Sequence, residues 1–194
     1  MTRLIEPNII GKNAPKVGVA PAVALINPKY SRNVGSTLRL ASCYGFRQVW
    51  YTGDRIKLDG AQRLPREERM KGYKEVDLIQ YDRVFDQFAR GIVPVAVEVR
   101  ENSEPLTTFE HPENALYVFG PEDGSIPSVM LQHCHRFVVI PTRHCLNLAT
   151  AVATILYDRM YKRHLQGKEN FIVPGEWEQR GKVKSIEDWE DDEI

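Results

Sequence analysis

The sequence predicts an α/β fold in which a mainly parallel sheet is flanked by helices. Three observations predict it. Short Val- and Ala-rich runs such as VGVAPAVALIN and ALYVFG carry apolar residues at consecutive positions, which marks strands buried on both faces. These runs alternate with segments whose apolar residues recur at helical spacing. Gly, Pro and Asn punctuate the junctions between them.

In chain order, residues 1–16 are rich in Asn, Pro, Lys and Gly and read as an arm without its own core. The first strand is expected over 17–27, ended by Asn27-Pro28. In SRNVGSTLRLASCYGF, Val34, Leu38, Ala41 and Gly45 fall at helical spacing; Ser31 or Asn33 is expected to cap the helix, and Gly45 suits the C′ position. QVWYT is a short strand. Residues 53–75 interrupt the pattern with Arg55, Lys57, Arg63, Arg66, Arg69, Lys71 and Lys74 among Gly and Pro, a long basic excursion. EVDLI (strand), DRVFDQFAR (helix) and IVPVAVEV (strand) then resume the alternation, and 100–114 reads as a polar connection. ALYVFG is a strand, Pro121–Ser125 a turn, SVMLQHC a short helix and RFVVIP the last strand. A helix is expected from about Leu146 to Arg163, leaving one domain over 17–163 and an acidic tail over 164–194.

Composition narrows the function classes. A chain of 194 residues, 42% hydrophobic and 27% charged, suits one packed domain. No apolar run approaches the roughly 18 residues of a membrane span, and MTRLIEPNII lacks a signal peptide's apolar stretch. Cys43, Cys134 and Cys145 are an odd count without CxxC spacing, which argues against a disulfide scaffold or zinc ribbon and for the cytoplasm. His133-Cys134-His135 and His144-Cys145 lack i, i+4 ligand spacing, so no metal is expected. The zero net charge hides an asymmetry. Glu187, Asp188, Glu190, Asp191, Asp192 and Glu193 leave residues 1–186 with 26 basic and 20 acidic groups, a net +6 that suits a polyanion partner.

Parallel sheets bind ligands beyond the carboxyl ends of their strands, which directs attention to 27–36, 53–75, 98–106, 120–126 and 141–147. The absence of GxGxxG, GxxxxGK[ST] and GxSxG argues against dinucleotide oxidoreductases, P-loop NTPases and α/β-hydrolases. Three loops carry chemistry. Asn33 and Ser36 open a helix, with Arg39 too deep to cap it and readable alone as a solvated or salt-bridged arginine. Gly120 ends a strand, where it permits close approach, and Glu122 and Asp123 follow as turn residues, cap or functional carboxylates. Asn147 suits the N-cap of a helix made of small residues.

NPKYSRNVGSTLRLASCYGF, LYVFGPEDGSIP and VVIPTRHCLNLATAVATILYDRM, in this order at strand ends, resemble the three motifs of the SpoU/TrmH-type SPOUT RNA methyltransferases, over about residues 17–163. The resemblance implies transfer of a methyl group from S-adenosylmethionine to a ribose 2′-hydroxyl of RNA. It also implies a C-terminal trefoil knot and a homodimer with the active site near its interface. By motif, Arg39 is the catalytic arginine, Asn33 positions it or the RNA, Glu122 is the second-motif carboxylate and Asn147 the third-motif asparagine. Val97, Gly120, Ile140, Cys145 and Leu146 fall at cofactor-pocket positions. Cys145 stands where the family usually has serine, a stronger hydrogen-bond partner, the loop before it is about three residues short, and Gly124 comes early in the second motif. Arg55, Lys57, Arg63, Arg66, Arg69 and Lys71 then track RNA phosphates and Tyr73 stacks on a base; on charge alone the segment is equally a solvated loop with Glu67 and Glu68 as counter-ions. A short arm in place of a separate N-terminal RNA-binding domain favours tRNA over rRNA. The alternatives are an rRNA substrate and an RNA-gripping dimer of this fold without methyl transfer.

Overall fold

The computed structural model describes residues 20–56, 76–84 and 91–168. The expected arm, the basic excursion beyond Ile56, the helix over 82–90 beyond Val84 and the tail beyond Lys168 lie outside the described residues. The chain divides into two compact units, Met1–Arg159 and Met160–Ile194. Sheet and site belong to the first; the described part of the second is the end of the last helix and its closing turn.

The elements are β1 (Ala22–Leu25), α1 (Ser31–Cys43), β2 (Gln48–Tyr51), β3 (Asp77–Gln80), β4 (Val93–Val97), β5 (Glu104–Pro105), β6 (Ala115–Phe119), α2 (Ser128–Leu131), β7 (Arg136–Val139) and α3 (Leu148–Leu165). Among the described residues the strands form one sheet in the order β3-β2-β1-β6-β4-β7-β5, and every pairing is parallel. Successive side chains alternate between faces, and both faces are covered. Val23, Leu25, Val49, Tyr51, Tyr117 and Phe119 pack with Val34 and Leu38 of α1 and Val152, Ile155 and Leu156 of α3. Ala22, Ala24, Trp50, Ile79, Leu116 and Val118 pack on the other face with Ile126, Met130 and Leu131. Burial on both sides is why these strands read as unbroken apolar runs rather than as alternation.

Three expectations change. β1 is shorter than 17–27: it begins after Pro21, which has no N–H to give the ladder, and ends where Asn27 turns out at φ 44°. The polar connection over 100–114 contains a strand, β5, which pairs with β7. Its signal is not hydrophobic: the Arg136 fork grips both Glu104 carboxylate oxygens at 2.7 and 2.8 Å, and Leu106 N–H donates to the Val139 carbonyl. Neither Ser31 nor Asn33 caps α1; Tyr30 holds the N-cap position without a side-chain hydrogen bond. At the other end Gly45 does occupy C′, with φ 74°, and Phe46 N–H to the Ala41 carbonyl closes the turn.

α3 is anchored by a buried polar cluster. The guanidinium of Arg159, 3% exposed, donates to the carbonyls of Pro112 and Glu113 at 2.7 and 2.9 Å. His111 joins the Tyr117 hydroxyl to the Asp158 carboxylate, both at 2.7 Å. The loop before β6, the β6 strand and α3 are thereby held together, which fixes where the N-terminus of α3 meets the strand ends.

Candidate active site

The carboxyl ends of β4, β6 and β7 meet around an open cleft of about 180 Å³. Val97 enters from the end of β4, Gly120 from the end of β6, and Ile140, Cys145 and Leu146 from the loop between β7 and α3. All five sequence-predicted pocket residues therefore line one cavity, and Gly124 lines it too. A Cβ on Gly120 would stand 3.1 Å from the Ile126 nitrogen and 3.3 Å from its Cγ1, so a side chain there pushes on the backbone of the cleft wall.

Glu122, in the same wall, is a hub. Its carboxylate accepts from Lys29 N–H at 2.7 Å, Tyr30 N–H at 3.4 Å and the Asn33 side-chain amide at 2.6 Å. Asn33, 3% exposed, accepts in turn from the Asn147 amide at 3.2 Å. Asn147 turns its own oxygen to Ala149 and Thr150 N–H at 3.0 and 3.3 Å and so caps α3. One hydrogen-bond chain, Glu122–Asn33–Asn147, thus joins all three motif loops.

Arg39 is not part of that chain. It is exposed, six residues and so about 9 Å further along α1 than Asn33, and makes no hydrogen bond or ion pair with the described residues. Arg55 does not line this cleft; its fork meets both Asp123 oxygens at 2.9 and 2.7 Å, and Lys29 reaches the same carboxylate at 3.3 Å. Arg55 foremost, then Lys29, hold the Asp123 carboxyl well below the usual carboxylate range. Lys57, Arg63, Arg66, Arg69 and Lys71, like Tyr73, lie outside the described residues.

Glu98 is a site residue that the sequence reading missed. It lines the cleft, and its carboxylate accepts from Val99 N–H at 3.1 Å and Ile126 N–H at 3.0 Å, tying the β4 end to the loop after β6. The signal that finds it is a charged residue directly ending the buried run VPVAV. Among the described residues no group of three or more His, Cys, Asp and Glu side chains gathers to hold a metal, and no helix is long and apolar enough to cross a membrane.

Among the described residues, a seven-stranded parallel sheet has a cleft at its strand ends walled by one hydrogen-bonded set of three loops, the place where α/β sheets take their ligands. The chain belongs to the SpoU rRNA Methylase family, whose model matches residues 20–157 and so takes in all three loops. It is 31% identical over 163 residues to the tRNA (cytidine-2′-O-)-methyltransferase TrmJ of Methanocaldococcus jannaschii, a match covering 76% of this chain and 70% of that one. The fold is similar to the A. aeolicus TrmH/SpoU tRNA modifying enzyme, with TM-score 0.64 and 18% identity over 82% of this chain and 84% of the other. It is also similar to the SpoU methyltransferase AviRb from Streptomyces viridochromogenes, solved in complex with AdoMet, with TM-score 0.61 and 18% identity over 74% of this chain and 60% of that one.

Proposed function

We propose that this protein transfers a methyl group from S-adenosylmethionine to a ribose 2′-hydroxyl of tRNA. One observation carries the reading: Val97, Gly120, Ile140, Cys145 and Leu146 share a cleft whose wall residue Glu122 is bonded to Asn33 and, through it, to Asn147. Gly120 carries no Cβ to press on the Ile126 backbone, so the loop after β6 can close against the strand end and form the cleft wall. Val97, Gly120, Ile140 and Leu146 would hold the cofactor through backbone groups, and Cys145 would meet it with a thiol. When bound, the cofactor supplies an electrophilic sulfonium methyl group.

The chain's own task is alignment and the handling of one proton. Arg39 offers a guanidinium that donates hydrogen bonds and accepts none, so it acts on the hydroxyl or a neighbouring phosphate electrostatically. Glu122 accepts from three donors and serves as a positioning residue, setting Asn33 and the 29–30 backbone. The Methanocaldococcus relative, a tRNA methyltransferase, supports tRNA over rRNA. A trefoil knot fits the return of 140–148 to the same cleft as the ends of β4 and β6, and a homodimer would complete the site around the exposed Arg39. In this reading 17–163 is the methyltransferase domain, with an arm before it and an acidic tail after it, working in the cytoplasm without a metal.

The test is calorimetric titration with S-adenosylmethionine, using Gly120→Arg as a blocked cleft, followed by methylation of tRNA by wild type and Arg39→Ala. Micromolar binding that Gly120→Arg abolishes is expected, with methyl transfer by Arg39→Ala reduced by about 100-fold or more at little changed cofactor affinity. Folded wild-type protein that binds no cofactor would overturn the enzyme in favour of an RNA-gripping dimer.

A further inference from the structure

A second cleft is lined by Lys29, Tyr30, Ser31, Arg32, Arg55 and Ile56. Glu122, in the wall of the first cleft, accepts from the backbone N–H groups of Lys29 and Tyr30 in the second, so one carboxylate links the two. The Tyr30 ring is 42% exposed, a large aromatic that neither the core nor the mechanism uses. The Lys29 ammonium and the Arg32 guanidinium lie 5.5 and 5.1 Å from its centroid. Arg55, the third cation, presents its fork to Asp123.

We infer that this cleft takes one nucleotide of the substrate RNA adjoining the methylated ribose, with its base on Tyr30 and Arg32 and its phosphate on Arg55 and Lys29. The inference rests on the methyltransferase reading and names where the RNA sits beside that site. Aromatic rings and arginine planes are the surfaces on which unpaired bases stack, and here they are paired at one cleft. The arginine fork matches carboxylate and phosphate alike, so the two Asp123 oxygens occupy the donors that a phosphate would use. Asp123 is a placeholder: it keeps Arg55 and Lys29 aimed into the cleft and yields them when the phosphate arrives. An exposed ion-pair cluster does little for stability, so a merely structural role explains the arrangement poorly.

The test measures binding of fluorescently labelled tRNA by anisotropy across a salt series for wild type, Tyr30→Ala, Tyr30→Phe and Asp123→Asn. Binding of S-adenosylmethionine to each is measured by calorimetry. Tyr30→Ala is expected to weaken tRNA binding by about tenfold and Tyr30→Phe to restore it, both with wild-type cofactor affinity. Asp123→Asn is expected to tighten tRNA binding and to steepen the logarithmic salt slope by about one, because no carboxylate is left to compete. Tyr30→Ala binding both ligands as wild type does would overturn the stacking platform and leave the methyltransferase reading standing. An unchanged affinity and slope in Asp123→Asn would overturn the phosphate assignment. Wild-type protein that binds neither ligand would overturn the methyltransferase reading and the platform with it.

Discussion

Asn33 commits both ends of its side-chain amide to distant partners, giving a hydrogen to Glu122 and taking one from Asn147. Replacing it with alanine takes a charge-assisted hydrogen bond from the half-buried Glu122 carboxylate, leaving Tyr30 N–H on that oxygen, and removes the partner of the Asn147 amide. Asn33→Ala is therefore expected to lose about 1–3 kcal/mol of stability in urea unfolding, and methyl transfer should fall further than cofactor binding does. Equal losses in the two would show that the chain of hydrogen bonds only builds the pocket. The cysteines separate as sharply. Burial pushes the Cys134 thiol up to about 12 from its ordinary 9.0, whereas Cys43 and Cys145 are exposed. Iodoacetamide at neutral pH is expected to modify Cys43 and Cys145 and to spare Cys134, and bound S-adenosylhomocysteine should protect Cys145 alone. Modification of Cys145 at the same rate with the ligand present would remove it from the pocket. Because the folded-state value for Cys134 is raised, its protonated form favours the native state fully below pH 9, and that contribution is lost as pH rises toward 12.

At the scale of elements, the placement of α3 decides whether Asn147 and the 140–146 loop meet the other two loops. Arg159 sets that placement through the Pro112 and Glu113 carbonyls. Arg159→Ala is expected to cost about 3 kcal/mol, because a buried side chain and two charge-assisted hydrogen bonds to partly buried carbonyls are lost together, and to lower cofactor affinity without touching the cleft. Native cofactor affinity in a destabilised Arg159→Ala would show that the loop holds its shape independently of the helix anchor. The elements also show what kind of signal each one carries. β1, β2, β4, β6 and β7 were legible because strands covered on both faces need apolar side chains at successive positions. β5 was not, since two residues joined by an Arg136–Glu104 fork carry no periodicity. The N-terminus of α1 was misread for a related reason. Tyr30 takes the N-cap position, and the Asn33 side chain is drawn instead to Glu122, 89 residues away.

For the whole molecule, ligand binding and folding are linked. Saturation with S-adenosylhomocysteine at about 100 times its dissociation constant is expected to add about 2.7 kcal/mol, visible as a rise of a few degrees in melting temperature. Gly120→Arg should melt at the same temperature with and without ligand, and a ligand-induced rise in that variant would move the cofactor elsewhere on the molecule.

The amino-acid sequence by itself determined the alternation of buried strands and helices and marked three motif loops at strand ends; the five residues that line the cleft were named through the family resemblance of those motifs. Such features are local: periodicity, turn residues and short motifs each act within a few residues. Only the tertiary structure decided how the loops combine. It made Asn33 a buried link rather than a cap, placed Glu98 in the cleft wall and paired Arg55 with Asp123 across 68 residues of chain. Those pairings follow from the strand order β1-β6-β4, which brings the ends of sequence-distant strands side by side. A hydrogen bond between groups about 90 residues apart in sequence leaves no pattern in either segment alone.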